Sequence, residues 1–326
     1  MAQGGFTEFD DSSTAVSATF INQGGTTAGA YGGVTVFEGT SHAGDSTIIA
    51  NAGTNGGAGG AISFISDSFG DTAHIQLFGN GLLSLLGHGP PGVAIASLEG
   101  NGTVFMGSFD LIVGVTDQNC AFAGKIKDDG QLGVGPLRKV GNGTLILRGA
   151  GSYTGGTIVE GGGLEVSNQS GSATGTGLVR VRRGRLGGRG IISGPVSIGT
   201  GAGQKAVLSP GRSAVAPQTL TLQSTLTFRD GATYNCGLNS STALADKVVA
   251  NKVMIDAGVL CAFAEAGNAI LSPGTVFTII DNTSSESIDG TFSNLPDGGT
   301  ITVGSNNFQA NYEGGDGNDL TLTVVP

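Results

Sequence analysis

The chain has 326 residues, of which 61 are glycine, 12% are charged and 38% are hydrophobic, and its formal net charge is −10. This composition excludes a disordered chain, which needs low hydrophobicity and high charge, and a collagen, which needs glycine at every third position and more than 9 prolines. The negative charge also disfavours nucleic acid or an anionic membrane as a general partner.

No apolar run approaches the ~20 residues that a membrane-spanning helix requires, so no membrane span is expected. Residues 1–5 lack the basic and apolar regions of a signal peptide. We therefore expect a cytoplasmic protein or, by preference, the mature part of an exported one. Three cysteines without a Cys-x-x-Cys pair argue against a disulfide scaffold and against a zinc site, and no cofactor is expected.

The first quarter of the chain contains a degenerate repeat of short β-type segments. Segments 17–22, 45–50 and 71–76 align with first residues 28 and then 26 positions apart, and 32–37 aligns with 59–64 at 27 positions. A unit of this length with two or three strands is typical of one coil of a β-solenoid, whereas an antiparallel sandwich, the alternative, rarely sustains such a repeat. At ~25 residues a coil, the chain would form about 13 coils and a rod of roughly 60 Å.

Further along the chain, short β-branched segments with period two predict more strands, and helix signals are almost missing. These predicted strands are 144–147, 157–159, 164–166, 178–181, 219–222 and 320–324. Strands this short need neighbours to stack on, which again favours a solenoid.

A specific motif begins at residue 139. Residues 139–149 read K-V-G-N-G-T-L-I-L-R-G, residues 152–159 read S-Y-T-G-G-T-I-V, and residues 162–166 read G-G-L-E-V. This stretch resembles the passenger-associated transport repeat of autotransporter proteins, whose pattern is K-x-G-x-G-T-L-x-L-x-G, then Y-T-G-G-T, then G-T-L-x-V. Ser152 and Gly163 depart from that pattern, at turn and strand-edge positions.

Several downstream segments are similar to the region that commonly follows such repeats. They are 186–188, 208–211, 245–249, 278–282, 290–298 and 312–320. The resemblance implies an all-β, right-handed parallel β-helix (β-solenoid) on the outer surface of a bacterium. It also implies an upstream secretory signal and, in true autotransporters, a C-terminal membrane barrel. We expect neither in this chain, which predicts an excised passenger or a secreted relative without a barrel.

The resemblance and the repeats together divide the chain into three predicted regions. Residues 1–136 carry the N-terminal degenerate repeats, 137–200 the passenger-associated transport repeat coils, and 201–326 the C-terminal coils with a terminal strand.

Five of the fifteen cationic residues lie within ten positions, in a stretch that is normally neutral in the resembling family. They are Arg180, Arg182, Arg183, Arg185 and Arg189. If 178–181 is a strand, Arg180 and Arg182 project from one face and form a basic ladder. Two interpretations stay open: a binding site for an anionic glycan or for an acidic patch of a second copy, and a solvated face without a ligand.

Cys236 and Cys261 are 25 positions apart, close to one coil. Stacked residues of neighbouring coils have Cα atoms ~4.8 Å apart, which a disulfide accepts. The two cysteines are therefore either a disulfide or two small buried side chains in equivalent inward positions. The pairing of Cys120 is left open.

Catalytic signatures are sparse. Nucleophilic catalysis needs a base beside a serine or cysteine, but none of His42, His74 and His88 lies in such a signature, and His74 is expected in a surface row. A polysaccharide lyase or hydrolase, frequent on β-helix scaffolds, needs clustered carboxylates. The acids here are dispersed in turns, for example at 10–11 and 128–129.

A metal hypothesis arises from residues 314–319, which read G-G-D-G-N-D and resemble the turn of calcium-binding β-rolls. Asp316 and Asp319 would be the ligands. Such rolls build each site between adjacent copies of a nonapeptide, and this chain has a single copy, which favours a plain polar turn.

These observations predict a non-enzymatic, extracellular structural or adhesive solenoid, displayed on a surface or stacked head to tail into a fibre. A carbohydrate-processing enzyme is the alternative. The expected partners are other copies of the chain and glycans or a cell-envelope surface. The fibre form depends on an uncharged terminal strand, whose residues Leu320, Leu322, Val324 and Val325 are predicted to form an edge that pairs with another copy.

Overall fold

The computed structural model describes residues 2–130, 134–201, 203 and 205–326. Strands make up about 47% of the chain, no helix occurs among the described residues, and the strands form a β-solenoid of about 10 turns with mostly parallel sheets. The predicted all-β solenoid is confirmed. A helix long and apolar enough to cross a membrane is not found in the described part of the chain.

The chain divides into two compact units, and the first comprises Met1–Gly162 and Gly171–Gly177. Its strands are β1 (Phe6–Phe9), β2 (Thr19–Asn22), β3 (Val34–Phe37), β4 (Thr47–Ala50), β5 (Ala61–Phe64), β6 (His74–Leu77), β7 (Leu82–Ser84), β8 (Gly92–Ile95), β9 (Ser97–Gly100), β10 (Thr103–Met106), β11 (Asp110–Val113), β12 (Cys120–Phe122), β13 (Lys125–Asp128), β14 (Leu137–Lys139), β15 (Thr144–Leu147) and β16 (Thr157–Val159).

The first unit stacks these strands into three parallel sheets. Their orders are β1-β3-β5-β7-β10-β13, β2-β4-β6-β9-β12-β15 and β8-β11-β14-β16. Alternate residues point inward, and equivalent inward residues lie above one another: Ile48 pairs with Ile75, which pairs with Leu98, and all three are fully buried. The core of this unit is therefore a set of apolar columns that run across the strands.

The register corrects one of the predicted alignments. The 28-residue and 27-residue offsets hold, because Thr19 pairs with Thr47 and Val34 pairs with Ala61. Thr47, however, pairs with His74, an offset of 27 instead of the predicted 26. The shared Asp-Ser/Thr start suggested the wrong alignment, whereas burial of the isoleucines sets the real one, since a one-residue slip would turn them outward.

Three stacked phenylalanine rings form a further column in the first unit. Phe37 is fully buried and stacks on Phe9 with ring centroids 4.8 Å apart and on Phe64 with centroids 4.9 Å apart. The three phenylalanines occupy equivalent positions of β1, β3 and β5. Offset or parallel ring stacking of this kind adds to the area that each ring buries.

The second unit comprises Gly163–Ser170 and Leu178–Pro326. Its strands are β17 (Gly163–Val166), β18 (Val179–Val181), β19 (Gly184–Gly188), β20 (Ile191–Ile192), β21 (Val196–Ile198), β22 (Ala206–Ser209), β23 (Thr219–Leu222), β24 (Leu226–Phe228), β25 (Ala232–Asn239), β26 (Leu244–Ala245), β27 (Lys247–Ala250), β28 (Val253–Ile255), β29 (Leu260–Ala266), β30 (Val276–Asn282), β31 (Thr300–Val303), β32 (Asn306–Gly314) and β33 (Asp319–Val325).

In the second unit, parallel coils give way to antiparallel strands. The orders β18-β21-β24-β28 and β17-β19-β22-β25, with β29 beside β25, are parallel. The third sheet runs β20-β23-β27-β30-β33-β32-β31, and its last four strands are antiparallel. The residues from Val276 onward therefore form few further coils, which explains about 10 turns where about 13 were predicted.

The predicted edge strand is wrong. β33 lies between β30 and β32 and pairs with both, and Leu320, Leu322 and Val324 are at most 3% exposed, while Val325 pairs with Asn307. The apolar residues that suggested a free edge are instead core residues of the sheet that ends in β30-β33-β32-β31. Alternating apolar residues signal burial, but they do not reveal which strands provide the cover.

Candidate functional site

The arginine-rich segment forms strand β18 in the second unit. Val179 and Val181 are fully buried in this strand, while Arg180 between them is exposed. Arg182 follows the strand and is also exposed. Successive strand residues point to opposite faces, so Arg180 and Arg182 lie on the same outer face.

Arg180 and Arg182 line a shallow groove of about 480 Å³ across three coils of the second unit, and we call it the arginine groove. Arg180 pairs with Ser197 of β21, which pairs with Thr227 of β24. The full lining is Leu178, Arg180, Arg182, Pro195, Val196, Ser197, Gly199, Thr200, Thr225, Thr227 and Arg229. The groove is cationic and rich in hydroxyl groups.

The other three arginines of the predicted patch do not line the arginine groove. Arg183 and Arg189 are exposed outside it. Arg185 is half-buried in β19, where its guanidinium donates to the carbonyl of Ser209 at 3.0 Å and lies 3.9 Å from Glu165 Oε2. Burial lowers the pKa of Arg185. A single patch of five arginines is therefore wrong, since Arg180 lies in β18 and Arg185 in β19, and these two strands belong to different sheets.

Asp246 is the most deeply buried carboxylate of the second unit's turns, at 1% exposure. Its Oδ1 accepts from the amide of Gln218 at 2.7 Å and its Oδ2 from the amide of Gly237 at 2.9 Å. A side chain at Gly211 would place its Cβ 2.5 Å from Asp246 Oδ1. Segments 208–211 and 245–249, both noted in the sequence, thus meet at Asp246, which has a structural role.

In the first unit, the lysine that begins the transport-repeat motif is a core residue. Lys139 is 1% exposed, and its ammonium donates to the carbonyls of Val140, Gly141 at 3.2 Å and Gly161 at 3.4 Å. Burial lowers the pKa of Lys139. Its ammonium group links turns of successive coils, and because it is buried, it does not contact a ligand.

The tyrosine of the same motif is also structural. Tyr153 is fully buried, and its hydroxyl lies 2.6 Å from Thr157 Oγ1. Burial raises the pKa of the Tyr153 hydroxyl. This hydrogen bond satisfies the two hydroxyl groups inside the coil.

Cys120, Cys236 and Cys261 are all buried free thiols. Cys236 pairs with Phe263, and Cys261 pairs with Tyr234, so this coil has an offset of 27 positions and not 25. The two cysteines therefore do not occupy equivalent positions of neighbouring coils, although both the disulfide and the buried-pair interpretation assumed that they do. Both side chains are buried, as the buried-pair interpretation expected. Burial raises the pKa of both thiols.

Each histidine makes local contacts. His42 stacks on Phe69 with ring centroids 4.5 Å apart and lies 3.1 Å from Asp71 Oδ1. His88 is 6% exposed, and its ring nitrogens lie 2.6 Å and 2.7 Å from the carbonyl oxygens of Gly89 and Ser68. Neither arrangement places a histidine against a serine or cysteine nucleophile.

His74 lies in a half-exposed outward position, and its Nδ1 is 2.9 Å from Ser97 Oγ. Asp45 Oδ1 lies 4.0 Å from the other ring nitrogen. Sequence reasoning did not find this group, because Ser97 aligns with His74 only through the 23-residue coil that follows. Its composition matches a catalytic triad, but Ser97 is 1% exposed, so a substrate has no access to its hydroxyl.

Several carboxylates of the first unit bond between coils. Arg138 Nε donates to Asp110 Oδ2 at 2.7 Å, and its Nη1 donates to Glu160 at 3.0 Å, so one guanidinium joins three coils. Asp128 accepts from both the amide and the hydroxyl of Thr154, at 3.0 Å and 2.9 Å. These acids are occupied by structural bonds.

The two candidate calcium ligands of the polar turn 314–319 differ in exposure. Asp319 is 7% exposed, and its Oδ1 accepts from the amide of Asn282 at 2.9 Å, whereas Asp316 is exposed. Across the residues that the structure describes, no three histidine, cysteine, aspartate or glutamate side chains are grouped to hold a metal ion.

One segment of the chain matches a known protein family. Residues 137–166 match the family described as passenger-associated-transport-repeat, and this segment contains β14 to β17. Together with the β-solenoid fold, the match fits an autotransporter passenger-type repeat protein. A search of curated proteins finds no significant match to the chain.

Proposed function

We propose that this chain is a non-enzymatic passenger displayed on a cell surface, where its solenoid has a structural and adhesive role. The observation that carries the proposal is the transport-repeat match at 137–166 within a β-solenoid. Repeats of this family are associated with autotransporter passengers, which are exported to the cell surface.

The use of the polar side chains supports a role without catalysis. Asp110, Glu160 and Asp246 accept structural hydrogen bonds, and the serine beside His74 is buried. The arginine groove, by contrast, is exposed and lies on a parallel sheet. Such a surface suits binding better than turnover, because it offers cations and hydroxyls without a paired acid and base.

Display is tested on intact cells that produce the chain from its own gene. A membrane-impermeant amine-reactive reagent, or an antibody, should label the chain on intact cells as strongly as after lysis. Labelling that requires lysis would contradict surface display. A cytoplasmic marker protein, which must stay unlabelled until lysis, is the control.

Adhesion is tested with the purified chain on beads. Coated beads should remain on a glycan or cell-envelope surface under flow, whereas beads coated with the heat-unfolded chain should not. The same surfaces are assayed for released reducing ends and unsaturated sugars. Steady product release would favour the carbohydrate-processing alternative and overturn the non-enzymatic part of the proposal.

Self-assembly is the second form of the proposal, and exposed apolar side chains support it. Phe6 of β1 and Ile21 of β2 are 63% and 54% exposed. Exposed apolar side chains of this kind favour contact with another chain. Sedimentation velocity across a concentration series should then show growing species, and a single monomeric species at all concentrations would exclude this form.

A further inference from the structure

The arginine groove has a regular geometry. Three coils cross it in register, so its residues form three rows. The rows are Leu178, Pro195 and Thr225; Arg180, Ser197 and Thr227; and Arg182, Gly199 and Arg229. Because neighbouring parallel strands lie ~4.8 Å apart, the outer members of each row are about 10 Å from each other.

The depression arises because the middle coil carries small residues. Pro195, Ser197 and Gly199 form the floor, and longer side chains of the flanking coils form the two walls. Gly199 has φ +90°, and a Cβ at this position would lie 3.3 Å from Arg229 Cβ. Any larger residue there would fill the floor between the two arginine walls. The groove therefore runs along β21.

The charge of the groove is opposite to that of the whole chain. The chain has a net charge of −10, but three arginines and no carboxylate line the groove. Arg229 lies 3.3 Å from Asp256 at the border, and both side chains are substantially exposed, at 48% and 38%. An exposed pair of this kind is weak, so Arg229 is able to exchange Asp256 for another anion.

The donor set selects a class of ligand. Arginine presents a planar fork that matches a carboxylate or sulfate, and the groove adds the hydroxyl of Ser197 on its floor and those of Thr225 and Thr227 on the wall formed by the β24 coil. An extended peptide bound along a sheet uses side-chain pockets and a free strand edge. The groove lies on a sheet face whose strands are already paired, so it offers no such edge.

We infer that the arginine groove binds an extended acidic polysaccharide, whose anionic groups pair with Arg180, Arg182 and Arg229 and whose hydroxyls bond to the hydroxyl groups of the lining. This inference specifies the ligand of the adhesive surface and so rests on the proposed function. Arginine cations on both walls allow two successive charged sugars to be held, and the net negative charge elsewhere repels the polymer from the rest of the surface.

The test uses the full chain and a variant with both β18 arginines removed, R180A/R182A. The control, R148A/R189A, removes two exposed arginines outside the groove and so loses the same charge. Calorimetric titrations with polygalacturonate, dextran sulfate, neutral dextran and poly-L-glutamate are performed at low and at physiological salt. Melting temperatures verify that both variants fold.

The inference predicts that at least one anionic polysaccharide binds and neutral dextran does not. R180A/R182A should weaken this binding by about tenfold or more, because each lost charge-assisted pair removes a fork of hydrogen bonds. The control should change it less than about threefold, the scale of a weak long-range charge effect. Added salt should weaken the wild-type complex.

Three outcomes would overturn the inference. The first is no binding of either anionic polysaccharide, and the second is an equal loss in both variants, which would indicate general charge attraction. The third is binding of poly-L-glutamate as tight as that of the polysaccharides, which would indicate an acidic peptide ligand. These outcomes leave surface display untouched, because labelling of intact cells is measured independently.

Discussion

At the scale of single residues, the structure distinguishes buried or half-buried charges from exposed ones. Lys139, Arg138 and Arg185 bond inside or between coils, whereas the side chains of Arg180 and Arg182 are exposed. A buried ammonium costs free energy unless its donors are satisfied, and Lys139 meets this condition with three backbone carbonyls.

Replacing Lys139 by methionine should destabilise the chain by about 2 kcal/mol at neutral pH, since it leaves buried carbonyls without donors. Urea unfolding measures the change. K125M, at an exposed lysine, is the control and should stay within about 0.5 kcal/mol of wild type. A K139M variant as stable as wild type would show that desolvation of the ammonium cancels its hydrogen bonds.

The same substitution predicts a pH dependence. Burial lowers the pKa of Lys139 below 10.5, its value without burial, so the folded state binds fewer protons than the unfolded state between the two pKa values. The contribution of Lys139 to the free energy of unfolding therefore rises with pH in this window, and it is lost as the pH falls through the folded pKa. The difference in the free energy of unfolding between wild type and K139M should increase as the pH rises towards 10.5.

At the scale of elements, glycines allow neighbouring coils to stack at corners. Gly188 closes β19 with φ +109°, and a Cβ there would lie 2.0 Å from the carbonyl oxygen of Val166, its partner in β17. Both the backbone conformation and the close approach require glycine.

Replacing Gly188 by alanine should cost about 3 kcal/mol, from positive-φ strain and from displacement of the neighbouring strand. G5A is the matched control, because Gly5 has open space around its Cβ position and no positive φ. The free energy of unfolding of the G5A variant should stay within about 0.5 kcal/mol of wild type. Thermal unfolding followed by circular dichroism measures both variants. An equal effect at the two sites would contradict this explanation.

At the scale of the whole molecule, each strand of the parallel sheets contacts strands one coil away. Stability in such a chain is close to a sum of coil terms and nearest-neighbour terms. Truncation of one side chain in a column should therefore destabilise the coils that contain this column more than distant coils. The Phe9, Phe37 and Phe64 column is suited to test this point, because its central ring is fully buried.

Replacing Phe37 by alanine should cost about 3–5 kcal/mol through the cavity that it leaves. Hydrogen exchange should rise most in β1, β3 and β5 and least in β23 and β27 of the second unit. F78A, at a phenylalanine that is 41% exposed, should change exchange little. A uniform rise along the chain would contradict the nearest-neighbour description.

Much of the fold was predictable from the sequence because its signals are local. Period-two alternation, β-branched residues and turn residues located the six predicted strands within one residue at each end, and the repeat near 27 indicated a solenoid. The transport-repeat motif was recognisable as a contiguous string at 139–166. Arg180 and Arg182 were assigned to one face for the same reason, since a strand fixes the direction of neighbouring side chains.

Tertiary structure alone decided which distant residues meet. Arg229 reaches the arginine groove because β18, β21 and β24 stack with offsets of 17 and then 30 positions, and no constant period predicts this. Likewise, β33 is an interior strand because β30 and β32 cover both of its edges. Coil length varies with each turn, and the register is set by which apolar residues are buried together, a property of the packed coils and not of any segment alone.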